Sequence, residues 1–373
     1  MVVASVGMVD PNSFCITRLT APGPAAIATV RAEGPGAAGA VAVHVRPRSG
    51  GSLEAHPVDR PLLGLFGEAP GEPVVLHRRG DGAVEIHCHG GMAAVERIEH
   101  TLAADGAHIV GWQEWVRSRS ADPIAAEARI AMAHARTERT AAILLDQYGG
   151  ALRRAMAEVE RLIAVGKQAA AREQIDSLLA RAEVGRHLTR SWRVVLAGRP
   201  NVGKSSLLNA LLGYERAIVH STAGTTRDVL SATTAISGWP VELVDTAGSP
   251  SATIPRSGDA VLERGIALGQ EQMATADLLV LVFDRTVSIS AEEESWLHDG
   301  RRVLPVDNKA DLPRAFGPRP PALETSALRG EGLAELLDAI AHRLVPAPPP
   351  PGAAVPFVEE QCTRLRTLAD GLA

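Results

Sequence analysis

Residues 192–206 read Trp-Arg-Val-Val-Leu-Ala-Gly-Arg-Pro-Asn-Val-Gly-Lys-Ser-Ser. An apolar run leads into Gly198-x-x-x-x-Gly203-Lys204-Ser205 and then into Leu207-Leu208-Asn209-Ala210-Leu211-Leu212. A strand before and a helix after is the context a phosphate-binding loop requires. The glycines admit dihedrals that a β-carbon blocks, so successive N–H groups can turn inward around phosphate oxygens at a helix N-terminus. The Lys204 ammonium is expected at the β- and γ-phosphates and the Ser205 hydroxyl on Mg²⁺, with Asn201, Val202, Gly203 and Ser206 completing the cradle. Lysine usage sharpens this reading, because only Lys167, Lys204 and Lys309 are lysine among 38 basic residues, and two of them fall in nucleotide motifs. A compact ammonium on a flexible stem suits a phosphate cradle better than a planar guanidinium fork.

Further parts of such a site come in chain order. Gly224-Thr225-Thr226-Arg227-Asp228 is a polar loop in which Thr225 lies at the nucleotide and Thr226 offers a second hydroxyl to Mg²⁺. The strand Val241-Glu242-Leu243-Val244 delivers Asp245-Thr246-Ala247-Gly248, an acid that reaches Mg²⁺ through water and a glycine N–H for the γ-phosphate. The strand Leu278–Phe283 ends at Asp284, and Arg302–Val306 leads to Asn308-Lys309-Ala310-Asp311. The Asp311 carboxylate can accept both N1–H and the 2-amino group of guanine, a pair adenine lacks, so GTP is predicted over ATP. Ser326-Ala327-Leu328 fits the loop that offers a backbone N–H to the guanine oxygen. Each later motif alone is weak; four in order, each at a strand end, make a GTPase, a hydrolase acting on GTP.

The elements that must position these residues are strands alternating with helices such as Leu333–Leu344, which predicts a mostly parallel sheet with its ligand at the carboxyl edge. The expected fold class is a multidomain α/β protein. Its P-loop GTPase domain, residues 191–345, is inserted after a helical domain. That helical domain is residues 116–190, where Leu152, Met156, Val159 and Ile163 recur on one helical face and Ile175, Leu178 and Leu179 resume the pattern. The proline-rich stretch 346–352 reads as a stiff linker. Behind it, Phe357–Leu372 reads as a short helix that docks on the helices before residue 190, so that 353–373 completes their domain.

Residues 1–115 alternate short apolar runs with Gly and Pro and read as a small α+β domain. Ala26–Arg31, Ala40–Val45, Val74–Leu76 and Val84–Cys88 are expected strands and Met92–Ala103 a helix. His87-Cys88-His89 puts the two histidines on one strand face and the thiol on the other. With no second ligand cluster legible nearby, the favoured reading is a strand running into a Gly-Gly turn.

Bulk properties bound the rest. The 373 residues are 46% hydrophobic with a net charge of −5, which gives no whole-chain nucleic-acid signal. Three cysteines form no even framework, and no charged leader or membrane-length apolar run is present, so a reducing cytoplasm is expected.

Taken with Ala21-Pro22-Gly23 through Val30-Arg31 and Val84-Glu85-Ile86-His87-Cys88-His89-Gly90-Gly91, these motifs resemble the tRNA modification GTPases of the TrmE/MnmE type over nearly the whole chain. The resemblance implies an N-terminal folate-binding-like domain that dimerises, and a K⁺-stimulated GTPase acting in wobble-uridine modification of tRNA with a flavoprotein partner. It implies K⁺ coordination by Asn201, His220, Thr222 and Thr225, and contacts to a tetrahydrofolate derivative by Arg31 and Glu85. It assigns catalysis to Lys204, Thr226, Gly248 and a water-orienting glutamate. Counting back three from Gly265-Ile266 gives Leu262, so that glutamate is expected at Glu263, one residue later.

The sequence also departs from the family pattern. Gly-Glu-Phe-x-x-Arg-Ala-Phe-x-Asn-x-Lys is eroded, beginning as Gly111-Trp112-Gln113-Glu114-Trp115 and carrying Ser120 near the lysine position. The family's terminal Cys-Ile/Val-Gly-Lys has no match, since the chain ends Asp370-Gly371-Leu372-Ala373 and Cys362 precedes Thr363-Arg364-Leu365. These departures motivate an alternative, a degenerate paralogue serving as a GTP-operated switch or scaffold without tRNA-modifying chemistry. A ribosome-assembly GTPase would share the G domain but carry an RNA-binding appendage, and none is legible.

Overall fold

A computed structural model of the protein describes residues 14–23, 25–214, 230–246, 272–297, 302–315 and 320–372. The chain divides into two units, Met1–Ala121 and Asp122–Ala373.

In the first unit, alternating apolar runs form a seven-stranded sheet of order β3-β4-β5-β6-β2-β1-β7. The strands are β1 Cys15–Arg18, β2 Ile27–Glu33, β3 Val45–Pro47, β4 Pro61–Phe66, β5 Glu72–Arg78, β6 Val84–His89 and β7 His108–Ile109; the helices are α1 Ala37–Val43, α2 Met92–Ala104 and α3 Trp112–Ser118. Every second residue of β2 and β6 from Ala28 and Val84 enters a core with Val41 of α1 and Ile98 and Leu102 of α2. The alternate residues Thr29, Arg31, Glu85 and His87 point to the other face, as the period of two requires. One expectation fails: Ala40–Val45 is not a strand, because Ala37–Val43 is helical and only Val45 begins a strand. Alternation of Ala and Val imitates a strand period, but alanine favours helix, and burial falls at Ala37 and Val41, one helical turn apart, while Val43 is exposed.

The second unit opens with helices α4 Pro123–Met132, α5 Glu138–Tyr148, α6 Ala151–Ala164, α7 Gln168–Leu179 and α8 Ala182–Arg186. A six-stranded sheet of order β13-β12-β11-β8-β10-β9 comes next. Its strands are β8 Trp192–Ala197, β9 Leu230–Ile236, β10 Trp239–Asp245, β11 Leu278–Asp284, β12 Val303–Asn308 and β13 Leu323–Glu324, with helices α9 Lys204–Tyr214, α10 Ala291–Trp296 and α11 Leu333–Leu344. All neighbours are parallel except β9, which pairs antiparallel with β10 at the edge. Strand β8 is buried on both faces. Val194 and Leu196 join a cluster with Leu207, Leu211 and Leu336, while Val195 and Ala197 join another with Phe283 and Leu279.

The first of those clusters runs on without a break into Leu144, Leu152, Met156 and Val159 of the helices, so sheet and helices share one core. On α6 the buried stripe is Leu152, Met156, Val159 and Leu162, with Ile163 at its margin. The segment after the prolines is fastened through its backbone. The fully buried Gln147 amide donates to the Ala353 carbonyl at 3.0 Å and accepts from Val355 N–H at 3.1 Å. Gly185 lets that segment pass, since a β-carbon there would lie 1.7 Å from the Pro356 carbonyl oxygen. The last helix, α12 Glu359–Asp370, packs back on α7, where Arg172 donates to the Ala369 carbonyl at 3.1 Å.

Candidate functional site

The carboxyl ends of β8, β10, β11 and β12 converge, and the motif residues lie on the turns that leave them. Between β8 and α9 the loop needs its glycines for space as well as for conformation. A β-carbon on Gly198, at φ 150°, would lie 2.3 Å from the Val282 carbonyl oxygen, and one on Gly203, at φ 95°, would lie 2.4 Å from Asn308 Nδ2. Asn201 occupies the left-handed region at φ 65°, where asparagine is tolerated better than most residues.

Lys204 is 5% exposed, and its ammonium donates back to the Gly198 carbonyl at 2.9 Å and the Arg199 carbonyl at 3.1 Å. Burial pushes its pKa down, while the charge on Asp245 acts the other way. Its partners are therefore neutral carbonyls of its own loop, an arrangement that anionic phosphate oxygens can replace with gain.

Asp245, at the end of β10, is wholly buried. One carboxylate oxygen accepts from Ser205 Oγ, and the other, Oδ1, has no hydrogen-bond partner among the described residues. An orphaned buried carboxylate oxygen beside a hydroxyl is the donor set a hydrated Mg²⁺ takes, so these residues fit that ion.

The Asn308-Lys309-Ala310-Asp311 turn is held from several sides. Asn308, 2% exposed, donates through Nδ2 to the Val202 carbonyl at 2.9 Å and accepts at Oδ1 from Ala327 N–H at 3.2 Å. Lys309 donates to the Asn201 carbonyl at 2.9 Å and to Asp284 at 2.6 Å. Asp311 accepts from Ser326 Oγ at 2.6 Å, and that hydrogen bond holds its carboxyl below the usual range, so the side chain is a ready acceptor. Of the three residues Ser326, Ala327 and Leu328, the first sends its N–H to the Glu331 carbonyl at 3.0 Å and gives the site its hydroxyl. The Leu328 side chain is exposed to solvent.

Asn201, Val202, Gly203, Lys204, Ser205, Ser206, Asp245, Asn308, Lys309, Asp311 and Ser326–Leu328 thus lie on strand ends, turns and the first turn of α9 at the carboxyl edge of one sheet. His220, Thr222, Thr225, Thr226, Gly248 and Glu263 lie outside the described residues.

One pair is not assigned by the motifs. Arg199, inside the phosphate-type loop, donates to the buried Glu293 of α10 at 3.1 Å. Glu293 also accepts from Ser290 N–H at 2.9 Å, as the second half of a capping box. The Ser290-x-x-Glu293 spacing is legible in sequence; its reach across the sheet edge to Arg199 is not.

In the first unit, Arg31 and Glu85 face each other across β2 and β6. Arg31, 9% exposed, is met by Glu33 at 2.9 Å, Glu85 at 3.0 Å and Asp81. Burial opposes charge on Glu33, but hydrogen bonds from Arg31, Trp115 and Arg119 outweigh it and hold its carboxyl below the usual range. The residues of the eroded motif therefore serve this network through Trp115 and Arg119.

The family model described as 50S ribosome-binding GTPase matches residues 193–309. The tRNA modification GTPase MnmE of Synechococcus sp. (strain CC9605) is 34% identical over 372 residues, covering 88% of this chain and 80% of that protein. The protein of that name from Geobacter sulfurreducens is 32% identical over 366 residues, covering 86% and 79%. Among solved structures, Aquifex aeolicus Era aligns at 28% identity with a TM-score of 0.33, covering 42% of this chain and 58% of that one. The G domain of the T. maritima FeoB iron transporter aligns at 28% with a TM-score of 0.30, covering 41% and 99%. Scores that low add nothing to the sequence relationship.

Proposed function

The chain belongs to the tRNA modification GTPase MnmE family, and from that premise we propose that it hydrolyses GTP in the course of modifying the wobble uridine of tRNA. The observation that carries the nucleotide half of this reading is the gathering of a buried lysine, a hydroxyl beside a half-satisfied buried carboxylate, and an Asn-Lys-x-Asp turn on one sheet edge. The tRNA half is supported by identity that runs through both units. That breadth favours it over a switch or scaffold stripped of tRNA chemistry.

In this reading the loop N–H groups and Lys204 hold the β- and γ-phosphates, with Lys204 exchanging its carbonyl partners for phosphate oxygens. Ser205 and Asp245 hold Mg²⁺, which when bound neutralises charge on the phosphate oxygens. Asp311, kept ionised by Ser326, accepts from guanine N1–H and the 2-amino group, and Asn308 ties that turn to the phosphate loop. Asn201, His220, Thr222 and Thr225 are proposed to hold K⁺ where other GTPases use an arginine. Thr226, Gly248 and Glu263 are proposed to complete the hydrolytic site.

In the first unit every nitrogen of Arg31 is engaged by a carboxylate. Its proposed part in binding a tetrahydrofolate derivative is therefore to orient Glu85, whose carboxylate can accept from the N–H groups of a pterin ring. A homodimer through this unit, a flavoprotein partner and a cytoplasmic location belong to the same proposal. Among the described residues no helix is long and apolar enough to cross a membrane.

Mass spectrometry of tRNA from a strain lacking the gene tests the reading, and wobble uridines with unchanged modification would reject it. The K⁺ assignment predicts faster GTP turnover in K⁺ than in Na⁺. Asn201→Gly, which tolerates the φ of 65° found there, should abolish the difference, whereas equal wild-type rates in the two salts would remove the K⁺ site.

A further inference from the structure

The His87-Cys88-His89 stretch lacks a second ligand cluster in sequence, but strand pairing supplies one. In the register of β5 with β6, His77 stands directly opposite Glu85, and His87 lies two residues along on the same face. One ligand atom from each of His77, Glu85 and His87 lies within 4.8 Å of the other two. Closing that triangle on an ion that bonds at about 2.0–2.2 Å takes side-chain rotation only, on two hydrogen-bonded neighbouring strands.

His87 and Glu85 each have one end committed and one end to give. Thr29 Oγ1 lies 2.9 Å from His87 Nδ1, so with the ring proton on Nδ1 the Nε2 lone pair is free to ligate. Glu85 engages Arg31 through Oε1, leaving Oε2 outside that pair. Among the described residues His77 Nε2 is buried without a hydrogen-bond partner, and Asp59 Oδ1 lies 3.8 Å from it. A proton on that nitrogen would face the Asp59 carboxylate while Nδ1 ligates, the carboxylate–histidine–metal order that fixes the tautomer in metal sites.

A cation already occupies the spot. The Arg79 guanidinium donates to His77 Nδ1 at 3.2 Å and lies 3.8 Å from both Glu85 Oε1 and Asp59 Oδ1. It is 41% exposed and free to swing into solvent. The locus is therefore shaped to receive positive charge, with arginine as the resident stand-in.

We propose that His77, Glu85 and His87 form a site for a zinc-class divalent transition ion, with Arg79 as its internal competitor. Two imidazoles and one carboxylate are a borderline nitrogen–oxygen set that suits Zn²⁺ or Co²⁺ rather than Mg²⁺ or Ca²⁺, which take oxygen alone. Three protein ligands leave a fourth position to water, so the ion is exchangeable. The site does not depend on the nucleotide reading and shares with the folate proposal only Glu85.

The test is titration of the full chain, free of tags, nucleotide and prior metal, with Co²⁺ and then displacement with Zn²⁺. GTP binding is measured on the same sample, so that failure here and failure of the GTPase reading are told apart. The expected result is one equivalent of Co²⁺ with the strong visible bands of four-coordination and no thiolate charge transfer. His77→Ala and His87→Ala should each weaken it about a hundredfold, and Arg79→Met should tighten it about tenfold by removing the competing charge. Any Co²⁺ held at Ser205 and Asp245 has only oxygen ligands and survives the histidine changes, which separates the two. No uptake, uptake indifferent to the histidine changes, or a thiolate band would overturn the proposal. If the histidine variants fail to fold, Arg79→Met decides alone: tighter binding by a variant with the wild-type circular dichroism and GTP affinity supports the site, and unchanged binding rejects it.

Discussion

The phosphate-type loop and the Arg31 network are both built on buried charge, yet they are finished differently. Around Arg31, three carboxylates meet one guanidinium, and Trp115 and Arg119 add further donors to Glu33. At the sheet edge, among the described residues, Lys204 hydrogen-bonds only to neutral carbonyls and Asp245 keeps an oxygen without a hydrogen-bond partner. Among the described residues, the first arrangement pairs its charges side chain to side chain, whereas the second leaves an ammonium hydrogen-bonded only to carbonyls and a carboxylate oxygen without a partner. Charge paired in the first way holds the fold even where, as at Glu85, one oxygen is left over, and charge left as in the second is what a bound ligand would complete.

Lys204→Met should break the contrast most sharply. Removing the ammonium is expected to lower GTP turnover about a thousandfold, the scale for a preorganised charge at a phosphoryl group. The melting temperature should hardly move, because the lysine's present partners are carbonyls that a loop can hydrate. Turnover within a few-fold of wild type would show that the cradle is not catalytic.

Arg31→Met should do the reverse, leaving turnover largely intact but destabilising the first unit by about 3 kcal/mol, since Glu33 and Glu85 lose their shared counter-charge. Hydrogen exchange on β2 and β6 reads that loss. The pH dependence has a definite sign. Glu33 and Asp81 are held below their free values, so their pairing contributes fully above the ordinary carboxylate range and is lost as pH falls through the depressed values. The wild-type unit should therefore weaken below about pH 4, and Arg31→Met should flatten that limb. A limb of unchanged steepness in the variant would refute this account of the network.

Asp311→Asn should weaken GTP about a hundredfold and favour xanthosine triphosphate, because an amide donor then meets guanine N1–H. Competition binding with the two nucleotides measures the switch, and an unaltered preference would remove Asp311 from base recognition. Glu293→Gln should have the smallest effect, about 1 kcal/mol of stability with a few-fold change in GTP affinity, as Arg199 loses its counter-charge but keeps an acceptor. A larger fall in turnover than in affinity would make the Arg199 clamp part of transition-state binding rather than of loop geometry.

Legibility in sequence divides along the same line. The loop 198–205 can be read because its chemistry is contiguous and made largely from backbone. Asp245 and Asn308–Asp311 can be read because parallel strands bring their carboxyl ends to one edge whatever lies between. The Arg31 partners cannot be read as a network, since Glu33, Asp81 and Glu85 meet only through the β2–β6 pairing and the turn before β6. Residues 40–45, most of them in the helix Ala37–Val43, pass for a strand in sequence because alternation of two small apolar residues fits both periods, and one-sided burial chooses between them.

What the sequence determined by itself, then, was local and periodic: the phosphate-type turn, the strand-end acids, the helical stripes, and a family likeness spread along the chain. What only the tertiary structure decided was which side chains from separate strands share a face. Register put His77 beside Glu85 and His87, Arg31 among its carboxylates, and Arg199 against Glu293. The physical reason is that strand pairing is set by the summed burial of whole faces, so which polar residues end up opposite one another is fixed by apolar residues elsewhere on those strands.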